Sequence, residues 1–257
     1  MTRLHAVLIG INSYLDPTIP ALHFARQDAQ DMGRLLTHST IGQDVTVYSL
    51  LDRHATRKAI LRMVDVDVAR SLAKDDVLIF YFAGHGSPEL RPGLDELSRF
   101  LVCYDTTRES LFASAIDITA DLGRLAARLP ARLVIFIIDA CFSGYGGGRG
   151  IAGPLVAERR RLNRPAIRLA DLALGSGILY LAACSDDEVA AEEGELGHGT
   201  FTYHLLEQLT APGETPAIGL PTLYDRVFSQ VHAHSAGRQN PVLWGTMRGA
   251  SLPRLAR

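Results

Sequence analysis

Five apolar runs of strand length constrain this chain more than any other feature. Leu4–Gly10 (LHAVLIG), Val45–Leu51, Val77–Ala83, Leu133–Ile138 and Ile178–Ala183 are rich in Val, Ile, Leu or aromatic residues and are bounded by polar or glycine positions. A strand with one wet face alternates apolar and polar side chains. These runs are apolar at nearly every position, the pattern of strands buried on both faces. Between them lie segments of helical period. Ala21–Leu36 sets Leu22, Ala25, Ala29, Met32 and Leu36 at spacings of three and four along one stripe. Thr56 is placed to cap a helix running to about Leu72, and Thr119 another running to about Leu129, where Pro130 follows. Gly199–Leu209 and Pro221–His234 read as two more, the second with proline in its first turn. Strand alternating with helix predicts an α/β fold, a mostly parallel sheet of about six strands with helices on both faces and reactive loops at the carboxyl ends of the strands.

At 257 residues the chain is long enough for one large α/β domain and too short for two, so 1–257 is read as a single unit. One segment departs from the pattern. Ser143–Ser176 (SGYGGGRGIAGPLVAERRRLNRPAIRLADLALGS) joins two strands through a glycine run, an arginine cluster and two prolines. It is too long and irregular for an ordinary connection and is expected to be an exposed, mobile linker. The alternative is an amphipathic helix over Leu155–Leu172, which Pro165 would interrupt. The run Gly144–Gly150 is no phosphate loop, because no Lys-Ser/Thr follows it.

A net charge of −2 and a pI of about 6.5 give no global basic field, so neither nucleic acid nor a membrane is expected as a partner. Asn12 and Asp16 interrupt the first apolar run before a signal peptide would be complete. Nothing approaches the roughly 18 apolar residues of a membrane span. Three cysteines cannot complete a disulfide framework, and a reducing cytoplasm is expected. No C-x-x-C or H-x-x-x-H pair suggests zinc, so no metal site is assigned.

Two strand ends carry the chemistry. DDVLIFYF runs into Ala83-Gly84-His85-Gly86, and LVIFIID runs into Ala140-Cys141-Phe142-Ser143-Gly144. If those strands are neighbours, an imidazole and a thiol face one another across the sheet edge. A free thiol with a pKa of about 8.5 is a weak nucleophile at neutral pH, and a histidine beside it can take its proton and later protonate a leaving amine. Backbone N–H groups of Gly86 and Cys141, on turns past strand ends, are candidates for an oxyanion hole. Of nine histidines only His198, in Gly197-His198-Gly199, is a rival with a glycine frame. Cys103 and Cys184 read as small buried hydrophobes.

The blocks HAVLIGINSY, RQDAQDM, FYFAGHGS, IIDACFSG, LAACSDDEVAAEEGELGHGTFTYHLL and RQNPVLWG, in this order, resemble those of the caspase-fold cysteine peptidases, especially bacterial metacaspase-like members. The His85 to Cys141 separation of 56 is near the caspase spacing of about 50. The resemblance implies a three-layer caspase-like fold, Cys141 as nucleophile, His85 as acid/base, and a structural place for His198. It implies that residues 143–176 separate large-subunit-like and small-subunit-like parts. Metacaspases and paracaspases carry an aspartate where this chain has Asp139, paired with an acid at the position of Asp28. Asp139 stands two residues before Cys141 on one strand and so shares its face. Two carboxylates around a narrow pocket suit arginine or lysine as the P1 residue, and Glu192 is a third acid at the substrate-lining segment or else a solvated turn.

The activity implied is therefore endopeptidase cleavage after Arg or Lys, on protein or peptide substrates. Regulation by self-cleavage or by an activating partner protein, in proteolysis, cell death or defence, comes with the resemblance. The candidate cut sites in the linker are Arg159, Arg160, Arg161, Arg164 and Arg168. No cofactor is required. Some metacaspases use calcium, and Asp95, Glu96 and Asp105 lie in the corresponding region, where the acid pattern is thin. The other readings are a catalytically silent caspase-like binding module and a hydrolase of small amides built on the same dyad.

Overall fold

The runs that are apolar at every position become the middle of a sheet. In the computed structural model, which describes residues 2–38, 44–91, 97–143, 148–154, 177–211, 217–246 and 251–253, six strands form that sheet. They are β1 (Leu4–Gly10), β2 (Val45–Leu51), β3 (Val77–Ala83), β4 (Leu133–Asp139), β5 (Ile178–Ala182) and β6 (Val242–Thr246). Their order is β6-β5-β4-β3-β1-β2, all parallel except β6, which runs antiparallel to β5. Alternate side chains go to opposite faces. Ile79, Tyr81, Ile135 and Ile137 belong to one core, and Leu78, Phe80, Phe82, Phe136 and Ile138 to the other. Both faces are dry, which accounts for the absence of charged positions in β3 and, before Asp139 at its end, in β4.

The helices α1 (Ala25–Thr37), α3 (Thr200–Thr210) and α4 (Leu220–His234) cover the first face through Ala29, Met32, Phe201, Leu205, Leu223 and Val227. On the other face lie α2 (Arg57–Arg62), which widens into a π-type turn over Met63–Val68, and the helical stretch Ile118–Ala126. An aromatic ladder crosses the sheet beneath them. Phe80 to Phe136, Phe136 to Tyr180 and Tyr180 to Trp244 have ring centroids 5.4, 4.5 and 5.1 Å apart, each pair level on adjacent strands. Cross-strand aromatic pairs are worth roughly 0.2–1 kcal/mol each, and here they secure the edge strand β6. No helix among the described residues is long and apolar enough to cross a membrane.

Local departures from the sequence reading have local causes. Helix α1 starts at Ala25, not Ala21, where side chains from elsewhere take N–H groups just before it and in its first turn. The Glu192 carboxylate accepts from His23 and Phe24, and Asn12 Oδ1 accepts from Arg26. Thr56 does cap α2, accepting from the Ala59 N–H at 3.2 Å. The cap of the next helical stretch is Asp117, whose Oδ1 accepts from Thr119 and Ala120, so Thr119 lies inside it.

Candidate active site

Strands β3 and β4 are neighbours, with Ala83 opposite Asp139. The Gly84 N–H donates to the Asp139 carbonyl at 3.2 Å, tying the two outgoing loops together. His85 and Cys141 therefore leave adjacent strands at one level. The His85 N–H donates to the Tyr14 hydroxyl at 2.9 Å, and the two rings lie tilted with centroids 5.2 Å apart. His85 Nε2 is 2.8 Å from the Pro20 carbonyl. A carbonyl only accepts, so Nε2 carries the hydrogen and Nδ1 keeps its lone pair. Nδ1 is buried without a hydrogen-bond partner. Burial lowers the His85 pKa to about 4.

Opposing influences act on the Cys141 thiol. The Glu188 carbonyl, 2.7 Å from Sγ, is an acceptor for S–H and holds the neutral form. The neighbouring Cys184 thiol has the largest effect and favours the anion; burial works against it, and the Ser143 hydroxyl at 3.0 Å and N–H at 3.4 Å add to it. The outcome is a pKa lowered to about 6. Cys184 sits 3.7 Å from the same Glu188 carbonyl and is pushed in the opposite direction by Cys141. Cys103, also buried, belongs to the other core. In this arrangement no hydrogen bond joins Cys141 to His85.

Beside them is an acidic pocket, and it is full. Asp28 from α1, Asp139 from the end of β4 and Glu192 from the short strand Glu192–Glu193 converge on the guanidinium of Arg149. Arg149 Nη1 is 2.7 Å from Asp139 and Nη2 is 3.0 Å from Glu192, and Nη2 also bonds Asp28. Arg149, Asp28 and Asp139 are each 0% exposed. Burial pushes the Asp139 carboxyl above its usual range, with the Arg149 charge opposing it. Thr202 donates to Asp139 at 2.6 Å, and Tyr81 contacts Thr202 in turn. Behind Asp28 lies His198, its Nδ1 2.7 Å from Oδ1 and its pKa raised by that bond. His198 thus belongs to the acid pocket. The absence of a side chain at Gly199 makes room for the guanidinium, since a Cβ there would lie 2.8 Å from Arg149 Cζ.

The main chain of Arg149 is held as closely as its side chain. Its carbonyl accepts from the N–H groups of both Gly86, at 2.9 Å, and Cys141, at 3.0 Å. Its own N–H donates to the Ala190 carbonyl at 3.0 Å. Two residues further, the Ile151 N–H donates to the Gly86 carbonyl at 3.0 Å. Gly86 can be no other residue here, because a Cβ would lie 2.5 Å from the Cys141 carbonyl oxygen.

The structure thus brings together His85, Cys141, Gly86, Asp28, Asp139 and Glu192. The expectation of an exposed linker over 143–176 needs correction: Arg149–Ala152 is buried against the sheet edge, because ion pairs and backbone bonds draw it in. Arg159, Arg160, Arg161, Arg164 and Arg168 lie outside the described residues, as do Asp95 and Glu96. Asp105 accepts from the Arg57 N–H at 2.8 Å and so serves the start of α2. Sequence reasoning missed Tyr14, the Pro20 and Ala190 carbonyls, Thr202 and Arg149. For Arg149 alone there was a signal, a single basic residue in a glycine run shortly after the thiol.

The sequence model of the caspase domain matches residues 3–252. No curated protein matches by sequence. Among solved structures, protein GSU0716 of Geobacter sulfurreducens superposes with a TM-score of 0.70 at 17% identity, over 96% of this chain and 95% of that one. Caspase-1 of Spodoptera frugiperda superposes with a TM-score of 0.60 at 16% identity, over 100% of this chain and 93% of its own. At such identities the likeness is one of fold.

Proposed function

Because the chain belongs to the caspase-domain family, a family of cysteine peptidases, we propose that it is a cysteine endopeptidase cleaving after Arg or Lys. The observation that carries the specificity is the pocket of Asp28, Asp139 and Glu192, whose carboxylates together hold a fully buried guanidinium. Three acids around one narrow site attract a cationic P1 side chain and repel an acidic one. Its place beside the Cys141 thiol supports reading it as a substrate pocket.

In the reaction, the sulfur of Cys141 attacks the carbonyl carbon of the P1 residue. The oxyanion that forms takes hydrogen bonds from the Gly86 and Cys141 N–H groups, donors already aimed at one carbonyl oxygen. His85, oriented by Tyr14 and by the Pro20 carbonyl, delivers from Nδ1 the proton that the leaving amine takes, drawn from the thiol where Cys141 is protonated and from water where it is already thiolate. The C–N bond breaks and a Cys141 thioester remains. Water, deprotonated through His85, then hydrolyses the thioester and restores the thiol. Rotation about the Cα–Cβ bond of Cys141, away from Glu188 and Ser143, precedes attack.

The test is turnover of matched peptidyl-aminomethylcoumarins ending in Arg, Lys or Asp. Arginyl and lysyl substrates should be hydrolysed and the aspartyl one refused. Preference for aspartate would overturn the pocket assignment, and turnover of none would overturn the peptidase reading.

A further inference from the structure

We propose that Cys184 is the resolving partner of Cys141: a hydroperoxide oxidises the Cys141 sulfur, and the two cysteines then close into a reversible disulfide that switches the site off. The loss of activity rests on the peptidase reading above. The bond itself does not.

Cys141 follows the middle strand of three. On one side β3 leads to His85, and on the other β5 leads to Cys184. Ile138 lies opposite Ala182, and the Ala183 N–H donates to the Ile138 carbonyl at 2.9 Å, so the pairing continues past the end of β5. Cys184 is thereby set beside Ala140, its sulfur 3.9 Å from the Ala140 carbonyl. Paired strands run about 4.8 Å apart, inside the Cα separation of roughly 4.4–6.8 Å that a disulfide spans. The two sulfurs also share an acceptor, the Glu188 carbonyl, at 2.7 Å from Cys141 Sγ and 3.7 Å from Cys184 Sγ. That carbonyl is a fixed point, because the Glu188 carboxylate accepts from the N–H groups of Ser185 at 3.3 Å and Asn240 at 2.7 Å. Packing alone would account for the burial of Cys184, as it does for that of Cys103 in the other core. It gives no reason for a second sulfur to face the acceptor of the first.

The oxidant is hydrogen peroxide or a similarly small hydroperoxide, since both cysteines are buried. Thiolate is the form that reacts, and Cys141 supplies it, its pKa lowered to about 6 while burial pushes that of Cys103 up. The Cys141 thiolate attacks one peroxide oxygen, the O–O bond breaks, and a sulfenic acid and hydroxide form. The Cys184 sulfur then attacks the Cys141 sulfur, the S–O bond breaks, and the departing hydroxide leaves as water with the Cys184 proton. Two electrons pass from the thiol pair to the peroxide. The Cys184 pKa is raised first by its contact with the Cys141 sulfur and then by burial. A sulfenic acid is neutral, so the charge behind the first effect is gone when Cys184 has to react. An external dithiol reverses the bond by exchange, taking the two electrons' worth of oxidation as its own disulfide. Closure also spares Cys141 from sulfinic acid, which a dithiol does not reduce.

Wild type, Cys184→Ala and Cys103→Ala, each as the full chain, are treated with dilute hydrogen peroxide, alkylated under denaturing conditions and mapped by mass spectrometry. Turnover of an arginyl peptide is read before oxidation, after it, and after dithiothreitol. Wild type and Cys103→Ala should give one bridge, joining the peptides of Cys141 and Cys184, at a rate independent of protein concentration. Both should lose turnover and regain their starting value on reduction. Cys184→Ala should give no bridge, should be labelled at Cys141 by dimedone, a sulfenic-acid reagent, and should go on to sulfinic acid with turnover lost for good. Should Cys184→Ala fail to fold, Cys184→Ser keeps the size of the side chain and should behave in the same way. A wild type whose Cys141 stays free, stops at sulfenic or sulfinic acid, or pairs only between molecules overturns the proposal, and if it cleaves arginyl peptides the peptidase reading stands. A Cys141–Cys184 bridge in a chain inert to every arginyl and lysyl peptide before oxidation overturns the peptidase reading and upholds the thiol pair.

Discussion

The two halves of the site lie at one sheet edge and are built on opposite principles. In the thiol and imidazole half the two reactive groups are not joined to each other: His85 Nδ1 has no hydrogen-bond partner, and Cys141 is bonded to Ser143 and the Glu188 carbonyl but not to His85. In the acid half the charges are met, with Arg149 paired to three carboxylates and Asp28 and Asp139 bonded further to His198, Gly199 and Thr202, while Arg149 Nε and Asp139 Oδ1 are buried without hydrogen-bond partners. The first half keeps capacity for proton transfer, which a saturated histidine would lack. The second requires a cation, because three buried carboxylates without one would carry a heavy desolvation cost. In the proposed reading, reactivity and recognition thus share one sheet edge and differ in how their polar groups are met.

Breaking the first half should have the larger effect. Cys141→Ala or His85→Ala should lower kcat/KM on an arginyl peptide by roughly 10⁴-fold or more, since members of one catalytic unit fail together. Circular dichroism should be unchanged. Near-normal turnover in either variant, with the fold intact, would remove the dyad. Next comes Asp139→Asn, which leaves a P1 guanidinium short of a buried partner and should raise the barrier for basic substrates by about 3–5 kcal/mol. Placed in the uncut Cys141→Ala chain, the same substitution should lower the Tm, because Arg149 loses the same partner. A Tm that does not move would mean that Arg149 does not occupy the pocket in solution.

The reactive half was more legible in the sequence than the charged half. His85 and Cys141 stand out because a reactive residue at the end of an apolar strand, flanked by glycine, has few structural explanations. The period of two put Asp139 on the same side as Cys141 without further information. Asp28 and Glu192 came only from resemblance, since an acid early in a helix and another in an acidic turn are ordinary surface features. Arg149 was not legible as an occupant, because an arginine among glycines has the local character of a solvated linker and only tertiary ion pairs bury it. Backbone acceptors such as the Pro20 carbonyl have no side-chain signature at all. In the fold, β6 escaped notice because Gly245 interrupts its apolar run after three residues, whereas the other edge strand, β2, runs for seven.

A smaller effect should appear in pH dependence. With the Cys141 pKa lowered to about 6, the thiolate predominates at neutral pH and is lost as pH falls through 6. The His85 pKa of about 4 lies below that range, so the imidazole stays neutral across it. The rate of alkylation by iodoacetamide at Cys141 should therefore fall tenfold per pH unit below about 6, as one proton binds. A midpoint near the ordinary thiol value of about 8.5 would show that the Glu188 carbonyl, not the donors around the sulfur, controls the thiol.

The smallest effect sharpens the comparison most, because it concerns a residue that reads from sequence as inert packing. Cys184 contributes most to the lowering of the Cys141 pKa, and its own is driven up by the same interaction, as expected where one thiol donates to the other's anion. Replacing it with alanine removes the donor and keeps a small apolar side chain. The acid limb of the Cys141 alkylation profile should then move to higher pH, while the rate at pH 9, where the thiol is ionised in either protein, should stay close to wild type. Turnover near neutrality should fall only a few-fold, since a shift of one pKa unit is worth about 1.4 kcal/mol in the balance of the two forms. Cys103→Ala is the matched control. Its thiol lies 3.8 Å from the Leu101 carbonyl, in the core on the opposite face, and has no path to the sulfur of Cys141. If both variants shift the limb equally, the effect comes from loosened packing and Cys184 has no specific part in setting the nucleophile. If Cys184→Ala alone shifts it, Cys184 acts with the Ser143 hydroxyl and N–H as a donor to the thiol, and the one reactive group without a partner is His85 Nδ1.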